Sequence, residues 1–63
     1  MKNSIRVERA RLPISQQELA DAIGVTRQTI YAIENDKFSP STELALKMSA
    51  YFGKTVNEIF SLD

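Results

Sequence analysis

Arg27, Gln28, Thr29 and Tyr31 crowd complementary hydrogen-bonding side chains into one short stretch of the chain. Arginine carries a planar fork of donors that matches guanine O6 and N7, and glutamine pairs a donor with an acceptor as adenine N6 and N7 require. Thr29 and Tyr31 suit a thymine methyl or a phosphate. Set on the exposed start of a helix lying in a DNA major groove, this group reads base edges.

Such a group works only if it is held at a fixed angle, and Gln16 to Glu34 supply the means. Leu19, Ala20 and Ile23 recur at three- and four-residue spacing, Gly24 breaks the run, and Val25, Ile30 and Ile33 rebuild an apolar stripe. Two short helices folded about one glycine are the layout of a helix-turn-helix. Ser15 and Glu18 form an S-x-x-E capping box that starts the first of them at Gln16. Gly24 suits the positive φ of a sharp helix end, and Thr26 is a good N-cap for the next helix, which runs to about Asn35. Wound at about 100° per residue, that helix puts Ile30 and Ile33 on one side. Gln28, Tyr31, Ala32 and Asn35 fall roughly opposite, with Arg27 flanking them.

The remaining elements form a frame around this pair. Asn3 to Arg11 reads as a first helix with Ile5, Val7 and Ala10 facing inward, and it stops at Leu12-Pro13 because the residue before proline is driven out of the helical region. Asn35 to Pro40 is rich in turn formers. Ser41 caps a fourth helix with Leu44, Ala45, Met48 and Phe52 on one face, closed by Gly53. Thr55 and Glu58 make a second capping box and open a fifth helix through Val56, Ile59 and Phe60. The expectation is an all-α, compact five-helix fold, with residues 1–63 as a single domain and no repeat, linker or low-complexity segment.

Composition narrows the function classes. A chain of 63 residues buries only ~60% of the surface its unfolded form exposes, so its stability margin is thin. It has no cysteine and no histidine, which removes disulfides and the usual structural zinc sites. No cofactor or metal is expected. There is no glycine-rich phosphate loop and no nucleophile beside a base, so no enzyme activity is expected either. The opening MKNSIRVERAR lacks the apolar core of a signal peptide, and no stretch approaches the ~20 residues of a membrane span. A cytoplasmic location without membrane contact is expected. Net charge is zero, yet Met1 to Tyr31 holds five basic residues against three acidic, while Ala32 to Asp63 reverses this to three against five. The positive half contains the proposed reader.

The chain resembles the Cro and phage-repressor type of helix-turn-helix regulator, the xenobiotic-response-element (XRE) family, in its compact single-domain subgroup. The resemblance rests on SQQELADAIGVTRQTIYAIE at Ser15 to Glu34, NDKFSPS at Asn35 to Ser41, LALK at Leu44 to Lys47 and VNEIF at Val56 to Phe60. It implies a lambda-repressor-like DNA-binding domain and a sequence-specific regulator of transcription, most simply a repressor. The third helix would enter the major groove while the second crosses the backbone. Arg27 and Gln28 are then the leading base readers, with Thr29 and Tyr31 beside them. Gln16 and Gln17, at a helix N-terminus, can donate to phosphates, and the resemblance implies the same for Asn35 and Lys37. Arg6, Arg11 and Ser39 are looser candidates, whereas Lys47 and Lys54 read as solvated. Arg9 occupies the first-helix position that the family uses for a partner, which makes Arg9 and Glu34 a partly buried ion pair. Two departures stand out: Asp36 replaces the usual glycine and must adopt a left-handed conformation, and Glu8 replaces a common leucine.

One reading helix covers little DNA, and proteins of this mode bind as dimers on half-sites about 34 Å apart. A homodimer on double-stranded DNA is therefore expected, with Tyr51, Phe60 and Leu62 as the possible dimer surface; Phe60 could equally close the monomer core. No small-molecule effector is evident. The rival reading is a protein-interaction module, adaptor or antitoxin-like, which the neutral net charge favours.

Overall fold

The computed structural model describes residues 1–62. Its order is β1 (Lys2–Asn3), α1 (Ile5–Arg11), α2 (Gln16–Ile23), α3 (Arg27–Glu34), α4 (Thr42–Phe52), α5 (Val56–Ile59) and β2 (Phe60–Ser61). Five helices form the expected all-α domain. Ile5, Leu19, Ala20, Ile23, Ile30, Ile33, Leu44, Met48, Ile59 and Phe60 make one buried cluster, and Ile14, Val25, Ala45, Phe52 and Val56 pack against it. Every helix thus contributes at least one side chain to a single core. Among the described residues, no helix is long and apolar enough to cross a membrane.

A short antiparallel ribbon joins the two ends of the chain, with Lys2 opposite Ser61 and Asn3 opposite Phe60. It corrects two expected boundaries. The first helix starts at Ile5 rather than Asn3, because the Asn3 carboxamide is spent elsewhere: its oxygen accepts from the Ile5 N–H at 3.2 Å and its nitrogen donates to the Ile33 carbonyl at 2.8 Å. Side-chain bonds of this kind compete with helical ones. Phe60 leaves the fifth helix for extended backbone, at φ −119° and ψ 143°. Two-residue strands are too short for any hydrophobic period to announce them.

The inward face of α1 also differs from expectation. Ile5 is fully buried, but Val7 is 58% exposed and Ala10 is exposed, while Glu8 turns inward. Helix geometry explains this, since Val7 and Ala10 stand about 200° and 140° round the axis from Ile5. Glu8 and Arg9, at three and four residues from Ile5, share its side. The Glu8 carboxylate is held 3.7 Å from the Arg11 guanidinium at the edge of the core.

Candidate nucleic-acid interface

The geometry of α2 and α3 is set by caps and one glycine. Ser15 Oγ accepts from the Glu18 N–H at 3.0 Å, and the Glu18 carboxylate accepts from the Ser15 N–H at 2.9 Å. After Leu19, Ala20 and Ile23 have packed into the core, Gly24 takes φ 81°, ψ 36°. The N–H groups of Gly24 and Val25 then both donate to the Ala20 carbonyl, at 2.9 and 3.0 Å. This closes α2 and reverses the chain within two residues. Thr26 caps α3 by accepting from the Thr29 N–H at 3.3 Å. Ile30 and Ile33 are then buried, which fixes the rotation of α3 about its axis.

That rotation turns Arg27, Gln28 and Tyr31 outward, Tyr31 being 51% exposed. Among the described residues Arg27 takes part in no ion pair. Thr29 is half-buried, and its hydroxyl lies 3.1 Å from that of Thr26, so the methyl group is the part of Thr29 left for contact. Lys37 is exposed just past α3. The amides of the phosphate candidates are already bonded: Gln17 donates to Asp21 at 2.9 Å, Gln16 to Glu34 at 3.1 Å, and Asn35 to the Tyr31 carbonyl at 2.8 Å. Each carboxamide nitrogen carries a second hydrogen. The first-turn backbone N–H groups of Gln16 and Gln17 have no helical carbonyl to reach.

At the other end of α3, Glu34 is a hub. Its side chain is 1% exposed and accepts from Arg9 Nε at 2.6 Å and Nη2 at 3.1 Å, as well as from Gln16. Arg6 lies 3.7 Å away, and Arg9 Nη1 also donates to the Ile14 carbonyl at 3.1 Å. Burial pushes the Glu34 carboxyl up, but the hydrogen bonds from Arg9 and Gln16, with the charges of Arg9 and Arg6, hold it below its usual value. The hub ties α1, α2 and α3 together. Gln16 therefore serves α3 directly, a link that no local sequence signal reveals because the two residues are 18 apart.

Of the three residues of the expected dimer surface, Phe60 and Leu62 line one depression and Tyr51 lines another. Phe60 is 6% exposed and belongs to the core. Tyr51 lines a depression with Asp21, Ala22 and Lys47. Leu62, 87% exposed, lies by Met1, Val56, Asn57 and Phe60. Phe38, in contrast, gains no role from the turn-rich pattern of its loop, although it is a large aromatic ring among polar residues. It is 52% exposed and stands beside Gln28, Thr29 and Ala32.

A family model described as helix-turn-helix matches residues 5–59, spanning α1 to α5. The chain belongs to the Cro and phage-repressor, or XRE-type, helix-turn-helix family. Three similar proteins carry the name of uncharacterised HTH-type transcriptional regulators. The one from Methanocaldococcus jannaschii is 45% identical over 60 residues, covering 95% of this chain and 91% of its own length. The Bacillus subtilis protein is 43% identical over 63 residues, with 100% and 96% covered. The Methanothermobacter thermautotrophicus protein is 44% identical over 64 residues, with 100% and 93% covered. In this helix-turn-helix protein the motif is α2 and α3, and the two departures noted in the sequence have local solutions. Asp36 takes the left-handed conformation at φ 58°, where its carboxylate accepts from Asn3 at 3.3 Å. Glu8 pairs with Arg11 at 3.7 Å.

Proposed function

We propose that the chain is a sequence-specific, double-stranded-DNA-binding regulator of transcription, acting as a dimeric repressor that reads the major groove with α3. The observation that carries this reading is the outward display of Gln28 and Tyr31 opposite the buried Ile30 and Ile33, with Arg27 exposed at their flank. Family membership and the names of the similar proteins support it. Arg27 and Gln28 contact bases, with the Thr29 methyl and Tyr31 at the margin. The N-terminus of α2 approaches the phosphates through the backbone N–H groups of Gln16 and Gln17, and Asn35 and Lys37 approach them from beyond α3. These contacts fix register, and the bases supply specificity.

The second copy of the chain sits on the apolar surface around the joined ends, where Leu46 is 58% and Leu62 87% exposed and both lie near Met1. Pairing two reading helices about 34 Å apart supplies the footprint one lacks. Sedimentation at micromolar concentration tests the assembly: a dimer is expected, and a monomer both with and without DNA would refute it. Selection of tight binders from randomised duplex DNA tests the reading itself. A selected sequence whose affinity falls steeply with salt is expected. The neutral net charge favours a protein-interaction module as the second reading, and binding to a protein that responds weakly to salt, with no duplex preference, would establish that one instead.

A further inference from the structure

The face of α3 does not end at its polar readers. Beside Gln28, a shallow open depression of about 250 Å³ is lined by Gln28, Thr29, Ala32 and Phe38. None of these side chains is ionisable. The Thr29 hydroxyl is turned to Thr26, so the depression offers a methyl from Thr29, a methyl from Ala32 and the Phe38 ring. The loop that carries the ring is anchored without using it: the Asp36 and Lys37 N–H groups donate to Ile33 and Ala32 carbonyls at 3.1 and 2.9 Å, and Asn3 holds the Asp36 carboxylate. The backbone that carries the ring is therefore held in place, and the ring lies next to a proposed base reader.

Base edges in the major groove carry one apolar group, the C5 methyl of thymine. We propose that Phe38, with Thr29 and Ala32, seats the 5-methyl of a thymine adjacent to the base read by Gln28, which makes Phe38 a specificity-determining residue. This inference rests on α3 lying in the major groove. A docked protein is a poorer occupant, because a specific protein interface takes roughly 800 Å² from each partner and three residues of α3 with one from the following loop do not approach that area. The seat suits a single methyl group.

The test uses the tightest duplex selected from random DNA by the full chain, with affinities measured at one fixed salt concentration. Each thymine is replaced in turn by deoxyuridine, which removes only the methyl. At one thymine per half-site the wild type should lose about fourfold, the worth of one buried methyl-sized group. Phe38→Ala should bind the parent duplex more weakly by a similar factor and no longer distinguish thymine from deoxyuridine there, while its response at every other thymine stays that of wild type. Phe38→Leu, which keeps an apolar wall, should retain most of the discrimination, and the thermal midpoints of both variants should match wild type because the ring is half exposed. Three results would overturn the seat: no deoxyuridine position that separates wild type from Phe38→Ala, independent multiplicative losses at the sensitive position, or an equal loss on all duplexes. Failure to select any duplex would remove the DNA reading and this inference with it, whereas selection followed by any of those three removes the inference alone.

Discussion

At its N-terminal end α3 offers solvent the Arg27 guanidinium, the Gln28 carboxamide and half of the Tyr31 ring. At its C-terminal end the Glu34 carboxylate is buried under Arg9 and Gln16, and Asn3 caps the Ile33 carbonyl. One end keeps the Arg27 and Gln28 side chains uncommitted and the other spends the Glu34 carboxylate and the Ile33 carbonyl internally; among the described residues no buried side-chain nitrogen or oxygen lacks a partner. The contrast is mechanical. A reading helix must leave its hydrogen-bonding groups unspent until DNA arrives, so its position has to be fixed from somewhere else. In a chain of 63 residues the apolar stripe fixes rotation and the Glu34 hub fixes the tether to α1 and α2.

The largest effect should come from breaking the committed end. Glu34→Ala strands the Arg9 guanidinium, which is 15% exposed, and should cost roughly 3–5 kcal/mol of stability. In so small a domain that approaches the whole margin. An unfolding midpoint close to wild type would show that the hub is dispensable. The pH dependence sharpens the point. Because the folded carboxyl sits below its usual value of 4.5, its contribution is fully present above that value and is lost as pH falls through the lower folded value. The stability gap between wild type and Glu34→Gln should therefore be constant near neutrality and shrink below about pH 4.5. A gap that is constant down to pH 2 would mean the ionised form is not what holds the hub.

The two ends of α3 also differ in how legible they were. The proposed reading end is visible in the sequence because local rules set it: Thr26 as a cap, Gly24 as a left-handed stop, and the three- and four-residue spacing of Ile30 and Ile33 that leaves Arg27, Gln28 and Tyr31 outside. Of the committed end, only the Arg9–Glu34 pair was legible, through family resemblance. The Gln16 bond to Glu34, the Asn3 bond to Ile33 and the ribbon joining Lys2–Asn3 to Phe60–Ser61 connect residues far apart in the chain. Periodicity and capping describe near neighbours and are silent on such contacts. The misplacement of Val7 and Ala10 has another cause, since winding α1 about Ile5 puts both on the outer side. Phe38 fell between the rules: its neighbours mark a loop, and nothing in a loop pattern says what an aromatic ring there touches.

Next in size is damage to the free end. Arg27→Ala should leave the unfolding midpoint near wild type, because the side chain is exposed and outside every ion pair among the described residues. It should cost ~1–3 kcal/mol of affinity for the selected duplex and relax preference at one base pair. Stability and affinity thus separate at this end, whereas at Glu34 they fall together. An equal loss on every sequence would mean that Arg27 grips phosphate, and the free end would then position the protein without reading bases.

Lys37→Ala gives the smallest and most diagnostic effect. Lys37 follows α3 immediately, with its N–H tied to the Ala32 carbonyl at 2.9 Å and its side chain exposed, so the loop places the ammonium at the rim of the proposed footprint. A rim cation on a phosphate carries no sequence information. The variant should therefore weaken binding to selected and scrambled duplexes by the same factor. It should also flatten the dependence of log affinity on log salt by about 0.9 for each copy of the chain bound, one released counterion per lost contact. A loss confined to the selected sequence would instead move Lys37 inside the groove. In that case the loop would read bases through Lys37 as well as through Phe38, and the boundary between the free and committed ends would lie in the loop instead of at Glu34.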